Sequence, residues 1–232
     1  MKKLQIIFIS VAILMIAVVS ASAQHSHSAR GEHNMFYVND PVNRNTVTFK
    51  STAPLEDIVG TSNNITGYLV FDPENPKNGG HGELTVPVKS LNTGIPTRDE
   101  HLAAKDWMNA EKYPNIVLKI DELKSIREIS SNSSSTTYDV TATGEVIIKG
   151  KSKRIEFPAR ITYLVESEKT NARMPGDLLA ARAEFDVSLA DFGITGPAGM
   201  DIIGTKVGET ITIEASMVAS NSSELALNPA GK

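Results

Sequence analysis

The sequence has 232 residues and no Cys, which excludes disulfides, thiolate metal sites and Cys nucleophiles. Its 23 basic and 27 acidic residues give a formal net charge of −4, so it lacks the basic surplus typical of nucleic-acid-binding proteins. Hydrophobic residues make up 41% and charged residues 22%, as in an ordinary globular protein. We therefore expect a folded protein with no nucleic-acid partner.

The amino-terminal segment has the pattern of a secretory signal. Two lysines precede an apolar run from Leu4 to Val19, and small residues follow as far as Ala23. This pattern predicts a signal peptide over residues 1–23, cleaved after Ala23, and export to the periplasm or secretion. The alternative is a transmembrane anchor, but the run is shorter than the roughly 20 residues that a membrane span needs. No later stretch is long and apolar enough to span a membrane.

Two polar segments flank the predicted domain, which covers residues 36–219. Residues 24–35 are His-rich, and residues 220–232 are rich in Ser, Asn, Pro and Gly. Both compositions predict disorder, because such segments cannot bury enough apolar surface to fold. The His side chains of the first segment can bind a transition metal weakly. A solvated linker is the simpler interpretation, and we expect no metal site and no cofactor.

Apolar residues alternate with polar ones through most of the domain, which is the pattern of half-buried strands. Eight such runs occur, at residues 47–49, 65–71, 84–88, 116–120, 140–148, 155–163, 179–187 and 211–217. The Lys149-Gly150-Lys151 turn joins the fifth and sixth runs as a hairpin. Eight antiparallel strands can close into a barrel that either is packed solid or holds one small ligand. The strand pattern alone leaves both interiors open.

A short helix is predicted between the third and fourth runs. Thr97 and Glu100 have the spacing of a capping box, and the residues up to Ala104 continue the helix. Pro114 prevents further extension. The fold class is therefore all-β, an eight-stranded antiparallel β-barrel with a short helical insertion.

Several motifs, in order, resemble the YceI family. The most specific are Ser90-Leu91-Asn92-Thr93-Gly94, Arg98-Asp99-Glu100-His101-Leu102, Tyr113-Pro114 and Asp191-Phe192-Gly193-Ile194. The resemblance covers about Tyr37 to Val218. It implies a lipocalin-like barrel that holds a long isoprenoid-type chain, such as a polyprenyl phosphate or a quinone tail, for carriage, storage or sequestration. It also makes a homodimer one of the assemblies to expect.

The chain departs from the family's pattern at two places. Trp107 stands where members usually have Phe, and Leu189-Ala190 stands where many have a basic residue. The second departure bears directly on contacts with a charged lipid head group.

Thirteen apolar residues on the strand faces, the helix and the strand ends are candidate ligand contacts. They are Phe49, Leu69, Phe71, Leu84, Val86, Trp107, Leu118, Ile148, Phe157, Ile161, Phe185, Phe192 and Ile213. By pattern alone these side chains equally fit a filled core, and the resemblance favours a cavity. Burial at about 0.8 kcal/mol per methylene can hold a chain of about 20 carbons without polar contacts.

The polar motif around the predicted helix has three interpretations. Arg98 and His101 can contact a lipid head group, with Arg98 on a phosphate. Asp99 and His101 can form an acid–base pair, but helical positions two apart diverge by about 200°. The motif can also simply anchor the helix. We expect that the motif anchors the helix and that the protein is not an enzyme. One alternative is an enzyme that acts on a lipid or quinone through His101 or Asp191. The other is a stress or interaction protein whose barrel is packed solid and holds no ligand.

Overall fold

The computed structural model of the protein describes residues 34–226. The predicted signal peptide, the linker up to residue 33 and the chain beyond residue 226 lie outside the described residues. Among the residues described, no helix has the length and hydropathy needed to cross a membrane.

Ten antiparallel strands, two α-helices and four 3-10 turns make up the described chain. The strands are β1 (Met35–Val38), β2 (Thr46–Thr52), β3 (Asp57–Ser62), β4 (Thr66–Phe71), β5 (Gly80–Pro87), β6 (Asn115–Ser131), β7 (Ser135–Ile148), β8 (Lys151–Leu164), β9 (Leu178–Ser188) and β10 (Thr210–Ser220). The helices are α1 (Pro96–Ala103) and α2 (Glu168–Asn171), and the 3-10 turns are Pro76–Asn78, Val88–Ser90, Leu189–Phe192 and Ser223–Leu225.

The sheet closes into a barrel with eight strand positions, two of which are each split into two short strands. At one end β1 lies between β10 and β4. At the other end β2 continues along β10, and β3 pairs with β2. Beyond β3 the wall continues only through an isolated bridge between Thr61 and Asn92. The predicted eight-stranded antiparallel barrel is confirmed.

Two strands were not among the eight predicted runs. β1 has only four residues, too few to show an alternating pattern. β3 carries Gly60, and its exposed and buried positions include few large apolar side chains. The predicted β7–β8 hairpin is present, with Lys149 and Gly150 at positive φ of 51° and 73°. Both central residues of a tight hairpin turn need that conformation.

Helix α1 is present, but it does not begin as predicted. Pro96 occupies the first turn after the N-cap Ile95, and no side chain caps the helix. The prediction of a capping box formed by Thr97 and Glu100 is therefore wrong. Pro suits the first helical position because its missing N–H would have no helical partner there. The Asp99 carboxylate instead accepts hydrogen bonds from the amide and hydroxyl of Thr93, at 2.8 and 2.6 Å.

The chain after β10 is ordered beyond the predicted domain boundary. Ser220 is the last residue of β10 and is fully buried. Leu225 is also buried, and its carbonyl accepts a hydrogen bond from the Asn39 side chain at 3.2 Å. The structure therefore differs from the disordered tail predicted from Ser220, because one apolar side chain anchors residues 220–226 to the barrel.

A buried carboxylate holds the corner that splits the first wall position into β1 and β2. The Asp40 side chain is 1% exposed and accepts hydrogen bonds from the side chain and amide of Arg44. The Arg173 guanidinium lies 2.7 Å from the same carboxylate. Next to it, Asn45 exchanges hydrogen bonds with the backbone of Val218 on β10 at 2.9 and 3.2 Å.

These partners outweigh the effect of burial on the pKa of Asp40. Desolvation by itself raises its pKa, but hydrogen bonds from Arg44 and the Val42 amide, and the positive charge of Arg173, bring the pKa below its usual value. A carboxyl group whose pKa is lower in the folded state stabilises the fold above the unfolded pKa of about 3.9. That contribution is lost as the pH falls through the folded pKa.

The barrel interior at the β1–β4 end is packed solid. Phe36, Phe71 and Leu179 are at most 1% exposed. Phe71 packs edge-on against Tyr138 with ring centroids 5.6 Å apart. Large side chains therefore fill this half of the barrel, which we call the packed half.

We expect Asp40→Asn to lower the free energy of unfolding by about 3 kcal/mol at neutral pH, because two guanidinium groups lose their carboxylate. The difference from wild type should begin to shrink below about pH 4, the pKa of the unfolded carboxyl, and should go on shrinking as the pH falls through the lower pKa of the folded carboxyl. Urea denaturation followed by circular dichroism at several pH values measures both effects. Asp121→Asn, at an exposed ion pair with Arg154, is the control and should cost less than about 1 kcal/mol. A loss that is the same at pH 7 and below pH 4 would contradict this account.

Candidate functional site

A cavity of about 620 Å³ occupies the barrel half opposite the packed half. Its walls come from the inward faces of β2, β5, β6, β7, β9 and β10. Inward residues face the interior at every second position, so each of these strands presents an apolar row to the cavity. The small side chain of Ala215 lies among the wall residues and leaves room in the interior.

The structure brings eight of the thirteen predicted apolar residues together around this cavity. They are Phe49, Leu84, Val86, Trp107, Leu118, Ile148, Phe185 and Ile213. Most are only partly buried, since one side of each faces the open interior rather than other side chains.

The other five predicted residues lie outside the cavity wall. Leu69, Phe71, Phe157 and Ile161 are buried in the packed half and do not line the cavity. Phe192 is 1% exposed and belongs to a cluster with wall residues such as Ile148 and Val187, but it does not itself line the cavity. The following Gly193 adopts a left-handed φ of 63°. Alternation along a strand shows which residues point inward but not how far along the barrel they lie, and these five point inward at other levels or at the strand end.

One wall position depends on a glycine. The Phe49 ring lies directly over Gly60 of β3, and a Cβ atom at residue 60 would lie 2.2 Å from Cζ of that ring. Any larger residue must therefore push the ring away from β3. Gly60 contributes to the shape of the cavity because it has no side chain. The sequence pattern did not indicate this contribution.

Helix α1 and the long β9–β10 loop roof the cavity. Leu102 and Trp107 contribute from the helical insertion, and Met200 and Ile202 contribute from the loop. A Cβ atom built on Gly196 would lie 3.4 Å from the Trp107 ring, so the loop backbone passes close to the indole. The loop residues were not predicted; their only sequence signal is an apolar character that is unusual for an exposed connection.

Polar groups gather at the mouth. Arg98 forms an ion pair with Glu56 from the β2–β3 turn. His101, Asp106 and Lys206 also line the opening. Both predicted head-group residues, Arg98 and His101, therefore lie at the cavity, whereas Glu56 and Lys206 were not predicted. Arg98 and Glu56 are 42 positions apart in the chain.

The candidate acid–base groups are held in other contacts. Thr93 engages the Asp99 carboxylate as an anchor for α1. Asp191 forms an exposed ion pair with Lys153 at 2.9 Å and does not line the cavity. Within residues 34–226, no three His, Asp or Glu side chains are grouped as a metal site requires. What the wall offers a guest is burial and dispersion, with a few charges at one end.

This fold, an antiparallel barrel with eight strand positions, is that of one protein family. The model of the YceI-like domain matches residues 37–219, so the chain belongs to the YceI-like family. A UPF0312 protein of Pectobacterium atrosepticum is 26% identical over 148 residues, which cover 62% of this chain and 69% of that protein. Protein YceI of Escherichia coli is 24% identical with the same coverage.

Solved structures show the same fold. BcnA of Burkholderia cenocepacia superposes with a TM-score of 0.56 at 20% identity, covering 78% of this chain and 100% of that one. A polyisoprenoid binding domain from Saccharophagus degradans, implicated in plant cell wall breakdown, gives a TM-score of 0.56 at 10% identity. It covers 81% of this chain and 98% of that domain.

We expect Gly60→Ala to push the Phe49 ring into the cavity and to weaken the binding of an apolar guest about tenfold, as overpacking of this size costs about 1–3 kcal/mol. Titration with a fluorescent probe whose emission rises in apolar surroundings measures the change. Val59→Ala, on the exposed face of the same strand, is the matched control and should bind like wild type. Equal affinity in Gly60→Ala and wild type would show that the ring does not limit the cavity.

Proposed function

We propose that this protein is an exported, non-enzymatic binding protein that holds an isoprenoid-type lipid chain in its barrel cavity. The observation that carries the proposal is the apolar cavity of about 620 Å³, open at one charged mouth. Pockets for small molecules usually measure about 300–1,000 Å³ and are mostly apolar with a few polar groups. An isoprenoid suits such a site, because it offers its host only apolar surface and one polar end.

The comparisons support the chemical class of the ligand. The Saccharophagus degradans domain is described as polyisoprenoid binding and shares the fold. The identity of 10% leaves open which chain is bound here, so the ligand of this protein is proposed from its own cavity. A polyprenyl phosphate and a quinone-like lipid are the two forms that we propose to test.

The polar end of the lipid belongs at the mouth in this proposal. Lys206 is exposed there, and Arg98 is about one-quarter exposed and shared with Glu56. A phosphate head group would compete with Glu56 for the guanidinium, so its gain from Arg98 is reduced. The affinity should therefore depend mainly on the apolar chain and less on the head group.

The alternative functions have less support from the site. A barrel packed solid would leave no room for a guest, whereas this barrel is hollow in one half. An enzyme using His101 or Asp191 would need these groups close to one bound substrate. Asp191 lies outside the cavity, paired with Lys153. The homodimer remains a prediction, which a measurement of the molecular mass in solution can test.

We expect Ile213→Glu to abolish lipid retention, because a carboxylate in the apolar wall is costly to desolvate and attracts water into the cavity. Native mass spectrometry of the purified protein, followed by organic extraction and lipid mass spectrometry, measures the bound lipid. Wild type should carry a stoichiometric isoprenoid or take one up from polyprenyl phosphates or quinones.

Ser216→Glu is the matched control for this experiment. Ser216 lies on the outer face of the same strand, opposite Arg182, so the new carboxylate meets water and a positive charge. This variant should retain lipid like wild type. A folded Ile213→Glu protein that keeps its lipid, or a wild type that binds none of the offered lipids, would contradict the proposed function.

Export is proposed from the amino-terminal sequence alone. We expect the protein expressed in a bacterium to appear in the periplasmic fraction or the medium with Gln24 as its first residue. Cell fractionation with intact-mass measurement checks both points. An Ala23→Arg variant should accumulate uncleaved, since the peptidase needs a small residue at that position. A wild-type protein that keeps Met1 would contradict the signal peptide.

A further inference from the structure

Two stacked aromatic rings mark the boundary between the cavity and the packed half. The Phe185 ring lines the cavity. The Phe157 ring lies against it, with centroids 4.8 Å apart and ring planes tilted by 32°. Phe157 is 3% exposed and belongs to the packed half. The pair therefore separates the hollow part of the barrel from the filled part on the β8–β9 side.

The neighbours of this pair are too small to form the boundary themselves. In the sheet register Phe157 faces Ala142 of β7, and the next inward position pairs Ala159 with Ala183. An alanine side chain ends at Cβ and cannot reach across a barrel interior. Loss of either ring would consequently leave space that these alanines cannot fill.

The cavity volume sets the amount of chain that fits above the pair. A cavity of about 150 Å³ holds the six carbons of benzene, so 620 Å³ holds roughly 20 to 25 carbons. That amount corresponds to about four or five isoprene units. A longer chain has to leave its remainder at the mouth, among the charged groups and water.

We infer that Phe157 and Phe185 form the β8–β9 side of a floor, facing Met217 at the end of the lined part of β10, and that this floor limits the length of the bound chain to about four or five isoprene units. This inference rests on the proposed function and adds a length limit to it. Each methylene inside the cavity adds about fourfold to the affinity, and carbons outside the mouth add little. Affinity should therefore rise with chain length up to the limit and then level off.

The first experiment uses wild-type protein and prenyl alcohols of two, three, four, six and eight isoprene units, delivered from cyclodextrin. Displacement of a fluorescent apolar probe gives the affinity for each alcohol. We expect the affinity to increase steeply up to four units and to change by less than about threefold between six and eight units. An affinity that keeps rising through eight units would overturn the inference and leave the proposed function standing.

The second experiment tests which residues form the floor. Phe157→Ala removes six ring carbons and the surface on which Phe185 stacks, so the cavity should lengthen by about one isoprene unit. The affinity for six units relative to four should rise at least about tenfold. Phe157→Leu, a smaller change, should move the ratio in the same direction and keeps the test available if the alanine variant does not fold.

Phe71→Ala is the matched control. It removes a phenyl ring from the same packed half, and the ring partner of Phe71 is Tyr138, which does not line the cavity. It should destabilise the barrel and leave the length preference unchanged. An equal shift in Phe71→Ala and Phe157→Ala, or no shift in either Phe157 variant, would overturn the floor. Failure of wild type to bind any of the alcohols or their monophosphates would instead contradict the proposed function.

Discussion

The buried ion pair at the Asp40 corner is the constraint on which this barrel depends. It fixes the turn that ends β1 and begins β2, so that one chain segment pairs with β10 at two separate levels. Below the corner the ring closes directly through β1, which pairs with both β10 and β4. Above it the β2–β3 hairpin takes that place in the wall. The Asp40 carboxylate is suited to this place, because it accepts hydrogen bonds from the turn amides of Val42 and Arg44 while it pairs with two guanidinium groups.

The end formed by the β2–β3 hairpin is hollow because its inward residues do not fill it. Ala215 is part of the wall, and Gly60 lets the tip of the Phe49 ring lie close against β3. In the packed half, Phe36 and Phe71 occupy the interior. One sheet thus supplies both a stable core and a binding site. The core half provides the burial that the hollow half lacks, which matters in a chain without disulfides.

Sequence patterns revealed the direction of side chains better than their level in the barrel. The alternation that placed Leu118 and Ile213 inward was sufficient for the wall. It did not separate them from Leu69 and Phe157, which point inward too but lie in the filled half. That distinction depends on the register between strands and on the split wall, and the strand that carries Gly60 was too weakly patterned to be predicted.

The polar groups at the mouth of the cavity show a second limit of prediction from sequence. Arg98 was singled out because its motif is dense in charge, whereas its partner Glu56 comes from a turn with no motif at all. Such pairs form when distant loops converge, and no local spacing encodes them. The capping box failed for a local reason, since Pro96 and the Thr93–Asp99 contact together replace it.

The single bridge between Thr61 and Asn92 makes the wall of the barrel unequal in strength around its circumference. Most neighbouring strands share ladders of several residue pairs, but here two reciprocal backbone hydrogen bonds and the contact between the Ser62 and Ser90 hydroxyls hold the seam. Segments with few bonds open locally at a small fraction of the cost of global unfolding. The seam lies beside the cavity, whose lining includes Leu91 and Thr93 on either side of Asn92, so local opening there would expose the cavity wall to solvent. Amide hydrogen exchange at residues 61 and 92 would then be faster than in any other strand that lines the cavity.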